Sequence, residues 1–341
     1  MAKSETEQVD ASHHAHAERR KHSVEQSLVT SLLSRPVLDR QVEAIHELQK
    51  TFIGTPFGKA LAQVSLLGSG KVVLIVLTIF FWLLRTNSWG PTRAASLVLS
   101  MVGIVKALFK GPRPYWLSNE LKALDPTLEV SFGFPSGHTA AVAATYGFIA
   151  YREGYSQLAI AFLILIAVGV SRVFTAAHFF HDVAGGALLG LAVLAMLILL
   201  DSWSLSHRDL AMMSMFTSAL TLTIVVAQYG IESIPFKLVQ EGLSGSGFLL
   251  GLSLCHLSEE FIRASLSDTR GALPLVACVV GFSGIVLIST VIKTFHKHDD
   301  NLTLGNVLAI CFLYAMINLW ALWVLPILVD DYLLSPTVVN Q

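Results

Sequence analysis

Charge is what this chain has least of. Aspartate, glutamate, lysine and arginine make up only 14% of its 341 residues, and 23 basic against 24 acidic side chains leave a formal net charge of -1. A balance so near zero offers no electrostatic case for a nucleic acid as partner. Cysteine is equally scarce: Cys255, Cys278 and Cys311 lie in or beside apolar runs of the second half without metal-ligand spacing, and they say little about redox compartment. The first 50 residues contain no apolar core of the kind a cleaved signal peptide requires, so targeting is expected to rest on the first membrane span itself.

What the chain has in excess is hydrocarbon. Apolar residues make up 53% of it, and a mean hydropathy of +0.63 lies outside the usual range of a soluble domain. Apolar runs near the length that crosses a hydrocarbon core occur at about 69–84, 92–108, 139–151, 158–174, 183–200, 210–228, 247–257, 273–292 and 304–328, the third and seventh being short. The fold class expected is therefore all-α, a polytopic transmembrane bundle of about nine spans. A large soluble enzyme with buried helices is the alternative, and charges confined to the ends of the runs argue against it.

Three blocks follow from the pattern. Residues 1–60 form a polar tail and an amphipathic segment, residues 61–205 a five-span core with polar clusters at its helix ends, and residues 206–341 a C-terminal extension without a comparable polar cluster. The tail, with His13, His14, His16 and His22 beside Arg19, Arg20 and Lys21, has the composition of a disordered segment. From Leu28 onward a helical stripe interrupted by Pro36 and Pro56 reads either as helices on the membrane surface or as an amphipathic hairpin packed on the bundle. Residues 229–246, with Pro235 and several glycines, and residues 258–271, with their mixed charges, read as loops.

Three polar clusters stand at the mouths of the core spans. The first runs from Lys106 to Pro114. A helix stopped by Gly111 and Pro112 leaves Lys106 one turn down and Arg113 in the loop, stiffened by prolines on both sides. Lysines snorkelling to lipid headgroups are the plain alternative for Lys106 and Lys110, whereas the guanidinium of Arg113 suits bidentate phosphate contact. The second cluster is Pro135-Ser136-Gly137-His138, where Ser136 as N-cap would leave the amides of Gly137 and His138 at the positive end of a helix, an anion cradle beside an imidazole. A capped helix with an incidental histidine is the alternative there.

The third cluster spans 171–182. Arg172 stands near the end of an apolar span, where a charge needs an anionic partner. His178 and Asp182 are four apart, so a helical turn would set the carboxylate against the ring and fix its tautomer, either for an oriented nucleophile or for stability alone. His181 falls out of register with that pair and reads as an interfacial or core histidine.

Crossing parity places the end of the second span, the start of the third, the end of the fourth and the start of the fifth on one membrane face. A phosphoester site needs cations and amides to neutralise its oxygens, a nucleophile in line and an acid for the leaving group. Lys106, Arg113, Arg172, Ser136 and the Gly137 amide fit the first need, His178 oriented by Asp182 the second, and His138 the third. No carboxylate pair or His/Cys constellation accompanies them, so neither a metal nor another cofactor is expected.

In order and spacing these segments resemble the three signature motifs of the type 2 phosphatidic acid phosphatase superfamily: Lys106 with Arg113-Pro114, then Pro135 to His138, then Ser171-Arg172 with His178 and Asp182. The resemblance covers about the middle third of the chain. It implies a helical bundle, metal-independent phosphatase activity through a phosphohistidine, and the histidine roles above. Within the superfamily, Arg113 to Trp116 and Ala177 to His181 are similar to glucose-6-phosphatase, and Gly133 to His138 to bacterial lipid phosphatases. Lipid phosphate in a bilayer is the expected substrate, sugar phosphate the alternative. An anion transporter would explain the spans and the basic face but has no need of the His178 and Asp182 pair. Haloperoxidases of the superfamily resemble soluble proteins. Lysines and arginines near the spans divide almost evenly between the two faces; the basic tail argues for a cytoplasmic site, and the resemblance for a periplasmic or lumenal one, which is the expected face.

Overall fold

A computed structural model describes residues 34–82, 89–125, 131–203, 205–230, 236–257, 275–296 and 303–321. Every regular element among them is helical: α1 (Arg35–Phe52), α2 (Pro56–Val64), α3 (Gly70–Trp82), α4 (Trp89–Phe109), α5 (Pro114–Leu117), α6 (Gly137–Ala141), α7 (Gly147–Glu153), α8 (Tyr155–Phe174), α9 (Phe180–Ser202), α10 (His207–Gly230), α11 (Phe236–Leu257), α12 (Leu275–His296) and α13 (Leu304–Leu319). The histidine-bearing tail and residues 258–271 lie outside the described residues.

Among the described residues four helical stretches are long and apolar enough to cross a membrane, 90–117, 156–174, 180–202 and 208–228, and a fifth results if the bent pair 56–68 and 70–79, angled at 62°, is one span. The described residues do not confirm the expected count of about nine. The third span is not among these stretches; it is the continuous helical stretch from Gly137 to Glu153, with a π-helical turn, Val142–Tyr146, between α6 and α7. The eighth and ninth appear as shorter apolar helices at 283–292 and 305–319. Large apolar side chains such as Ile160, Phe162 and Leu163 on α8, Leu188 and Leu199 on α9, and Phe216 on α10 are exposed on the surface, as expected where the solvent is lipid.

Of the two readings of the amphipathic segment, α1 shows packing on the bundle. Leu38 and Ile45 of α1 are buried against Leu121, Val173, Ala176 and Phe179. Gln49 adds polar ties, its Nε2 donating to the carbonyls of Lys122 (2.8 Å) and Phe174 (2.9 Å) and its Oε1 accepting from the Lys122 amide at 3.0 Å. Pro36 and Pro56 do not interrupt helices. They sit in the first turns of α1 and α2, where a missing N–H costs nothing.

At the centre, α4 packs on α6, α7 and α9 through Ala94, Val98, Val102, Ala140, Ala144, Phe148 and Val193, with Leu249 of α11 completing the cluster. A second core joins α10 to α13 through Val225, Leu243, Leu252, Ile285, Val307 and Ile310. The glycine-rich stretch expected as a loop at 229–246 is largely helix, since α11 begins at Phe236. Its glycines are contact points: a methyl at Gly245 would stand 2.4 Å from the Ser100 amide nitrogen, and one at Gly103 only 2.2 Å from the Gly242 Cα. Small residues at this spacing let two membrane helices touch backbone to backbone, so glycine here marks an interface. The C-terminal block is thereby seated directly on the helix that carries Lys106.

Candidate active site

Each cluster is shaped by how its helix begins or ends. Helix α4 stops at Phe109, and Lys110 takes the left-handed conformation (φ 50°) that closes a helix, its amide bonding back to the Lys106 carbonyl at 2.9 Å. Lys106 is therefore one turn down, as expected, and at 1% exposure it is no snorkelling lysine. Its Nζ donates to Ser131 Oγ (2.9 Å) and to Glu241 Oε1 (2.8 Å).

Arg113 is wholly buried and knits the segments together. Its Nε donates to the Ser131 carbonyl (2.5 Å), its Nη1 to the Ala177 carbonyl (2.9 Å) and its Nη2 to Ser131 Oγ (3.1 Å). The Gly133 amide reaches the Gly111 carbonyl at 2.8 Å, and the Ser136 amide the Asp182 carbonyl at 2.9 Å. All three clusters are thus joined pairwise at one end of the bundle, where the parity argument places them. At the other end Arg152 and Asp201 pair at 3.2 Å across the tips of α7 and α9, and both are half exposed.

Ser136 holds the N-cap position of α6 with extended backbone, but its side chain makes no capping bond. Its buried Oγ has no hydrogen-bond partner among the described residues, so the hydroxyl stays available at the helix mouth beside the first turn of α6. Glycine is required beside it for space: a methyl at Gly133 would meet the Pro112 carbonyl oxygen at 2.4 Å and Asp182 Oδ2 at 3.1 Å.

The third cluster departs from its expected geometry. Helix α8 ends at Phe174, and Ala176 (φ 54°) folds the chain back so that the amides of Ala177 and His178 both reach the Arg172 carbonyl, at 3.2 and 3.3 Å. Helix α9 begins only at Phe180, so His178 precedes it and the pairing with Asp182 is not a contact along one helical face. Instead Asp182, three residues past the N-cap, turns its Oδ2 back to the Phe179 amide at 2.9 Å and stands 3.5 Å from His178 Nδ1. Arg172 finds the anionic partner that its position demanded: Nη1 donates to Asp125 Oδ2 at 2.9 Å, both side chains being buried.

His181 is closer to the site than its register suggested. Its Nε2 is 3.1 Å from Asp182 Oδ1 and its Nδ1 3.1 Å from Gln41 Oε1, with the ring stacked near Phe179 and Phe134. The shared carboxylate sits in the first turn of α9 and faces both rings, His178 approaching from the loop before the helix and His181 from the same first turn, a relation that a helical wheel does not display.

Three participants were missed by sequence reasoning: Ser131, Asp125 and Glu241. Nothing in the sequence marks Ser131. For Glu241 a signal existed, an acid inside the apolar stretch that became α11, where burial asks for a cation. Asp125 is the matching anion for Arg172, recognisable only once the chain is folded. Among the described residues no three His, Cys, Asp or Glu side chains are grouped to hold a metal ion.

Residues 91–205 match the PAP2 superfamily. A dihydrosphingosine 1-phosphate phosphatase of Schizosaccharomyces pombe is 25% identical over 173 residues, 46% of this chain and 41% of the relative. The phosphatidylglycerophosphatase B of Bacillus subtilis is 41% identical over 73 residues, 18% of this chain and 36% of the relative. The glucose-6-phosphatase catalytic subunit 1 of Rattus norvegicus is 25% identical over 236 residues, 54% of this chain and 65% of the relative. The chain thus spans less than two thirds of the length of each, and no solved structure matches it. Signature segments in order, joined at one end of a helical bundle, and a match that covers all three of them identify residues 91–205 as a PAP2 superfamily domain.

Proposed function

We propose that this protein is an integral membrane phosphatase that hydrolyses phosphomonoesters of lipids through a phosphohistidine. The observation that carries the reading is the convergence of His178, backed by Asp182 at 3.5 Å, with Arg113 and the mouth of α6. With Nδ1 turned to the carboxylate, Nε2 is the nucleophile, and the apo distance has room to tighten on binding. Nε2 attacks phosphorus, the bond to the leaving oxygen breaks, and His138 delivers a proton to that oxygen. Water then attacks the phosphohistidine, His138 takes its proton, and the P–N bond breaks to release phosphate and restore His178. Lys106, Arg113, Arg172, Ser136 and the Gly137 amide hold the phosphate oxygens throughout.

Lipid is the substrate class favoured by position: a site at the end of a membrane bundle admits a headgroup while the tail stays in hydrocarbon. Two of the relatives carry names of lipid phosphate phosphatases. The longer alignment with a glucose-6-phosphatase supports sugar phosphate as the second reading. Residues 61–205 act as the catalytic core, 1–60 and 206–341 as its flanking blocks, and the catalytic face is periplasmic or lumenal. The test is phosphate release by the detergent-purified chain against lipid and sugar phosphates, with His178→Ala alongside. Loss of turnover by several orders of magnitude in a folded His178→Ala protein is expected. Normal activity in that variant would sink the mechanism.

A further inference from the structure

Glu241 belongs to none of the three signature segments, yet its carboxylate lies in the phosphate site. Oε1 accepts from Lys106 Nζ and from Ser131 Oγ, both at 2.8 Å, and Oε2 is 2.7 Å from the same Nζ. Oε2 is also 3.7 Å from the point where a methyl on Gly137 would stand, beside the first amide of α6. Of the pair, Glu241 is the member nearer solvent, its side chain 23% exposed against 2% for Lys106. The glycine contacts of α11 with α4 fix the backbone from which Glu241 projects, and the bonds to Lys106 and Ser131 orient its carboxylate.

An ionised carboxylate offers only acceptors. A phosphate bound to the Gly137 amide and Lys106 brings an oxygen against it, and two bare anions in contact repel. The clash disappears if that phosphate oxygen carries a hydrogen, which it can then donate to the carboxylate. A phosphomonoester has a second pKa of about 6 and so reaches this state near neutral pH. Sulfate and phosphodiesters have no such proton to give. Resting on the phosphatase reading above, we propose that Glu241 is a specificity-determining residue of the phosphate site: it admits the singly protonated phosphomonoester and refuses tetrahedral anions that lack a proton. Discrimination of this kind is built from the penalty imposed on the wrong ligand.

The experiment is equilibrium binding of inorganic phosphate and of sulfate to the detergent-purified full chain at about pH 6, wild type against Glu241→Gln. The wild type is expected to take phosphate at least tenfold more tightly than sulfate. Glutamine keeps the shape and adds a donor, so the preference should shrink to about twofold, chiefly because sulfate binds better. If Glu241 serves only to hold Lys106 in place, Glu241→Gln weakens both anions together and the preference is unchanged, which overturns the proposal. A wild type that binds both anions equally, or neither, overturns it without any variant. The measurement does not depend on turnover. Failure of the phosphatase reading would show instead as a wild-type protein that releases no phosphate from any ester.

Discussion

A single methyl group added at Gly186 tests whether the three segments must meet in this register. Gly186 lies on α9 outside every signature residue, and a methyl there would stand 2.3 Å from both the Ser136 carbonyl oxygen and Thr139 Oγ1. Carbon and oxygen settle at about 3.3 Å, so α9 and the start of α6 must separate by about 1 Å. The Ser136 carbonyl is main chain and cannot rotate aside. The same shift stretches the 2.9 Å bond from the Ser136 amide to the Asp182 carbonyl, which ties the phosphate cradle to the His178 pair. A misplacement of about 1 Å between reacting groups costs on the order of a hundredfold, equivalent to about 2.7 kcal/mol of transition-state stabilisation. Gly186→Ala should therefore lower kcat/KM for phosphate release about a hundredfold, with a cooperative thermal transition retained. Gly70→Ala is the control, because nothing lies within 4 Å of a methyl there. If Gly186→Ala loses no more activity than Gly70→Ala, the close approach of α9 to Ser136 is not what aligns the site.

Other expectations follow from the same contacts. Asp125→Asn leaves the buried Arg172 guanidinium without its counter-charge and should destabilise the fold by about 3 kcal/mol, whereas Arg152→Ala, at a half-exposed pair, should cost less than about 1 kcal/mol; thermal unfolding of the two variants side by side measures the contrast. Vanadate, which takes the shape of the phosphoryl group in flight, should inhibit in the presence of excess chelator; activity lost to chelator and restored by a divalent ion would reveal a ligand set not recognised here. His138→Ala should lose less rate on a nitrophenyl phosphate, whose leaving group needs no proton, than on a lipid alkoxide ester; equal losses on both substrates would favour a role in holding phosphate over one in donating a proton.

The sequence by itself determined the helical class and the gathering of the three polar clusters at one end of the bundle. Long apolar runs demand helices in lipid, and the parity of crossings follows from counting the core spans, so the meeting of the segments that carry Lys106, Arg113, Ser136 and His178 was legible from motif spacing. Short-range rules also placed the stop of α4 near Lys110 and Ser136 at the head of α6, because glycine, proline and capping residues act within a turn. Spacing misled where a loop replaced a helix. The separation of His178 and Asp182 suggests a shared helical face, but the chain folds back at Ala176 and the pair meets across the first turn of α9. Tertiary structure alone decided the rest. The glycines around Gly242 read as a loop because glycine frees an isolated chain, yet between packed membrane helices it permits contact, and only the packed bundle shows which applies. The counter-charges of the site are far along the chain from their cations, Asp125 from Arg172 and Glu241 from Lys106. Pairing at such distances leaves no periodic mark in the sequence, since it is set by which helices lie side by side.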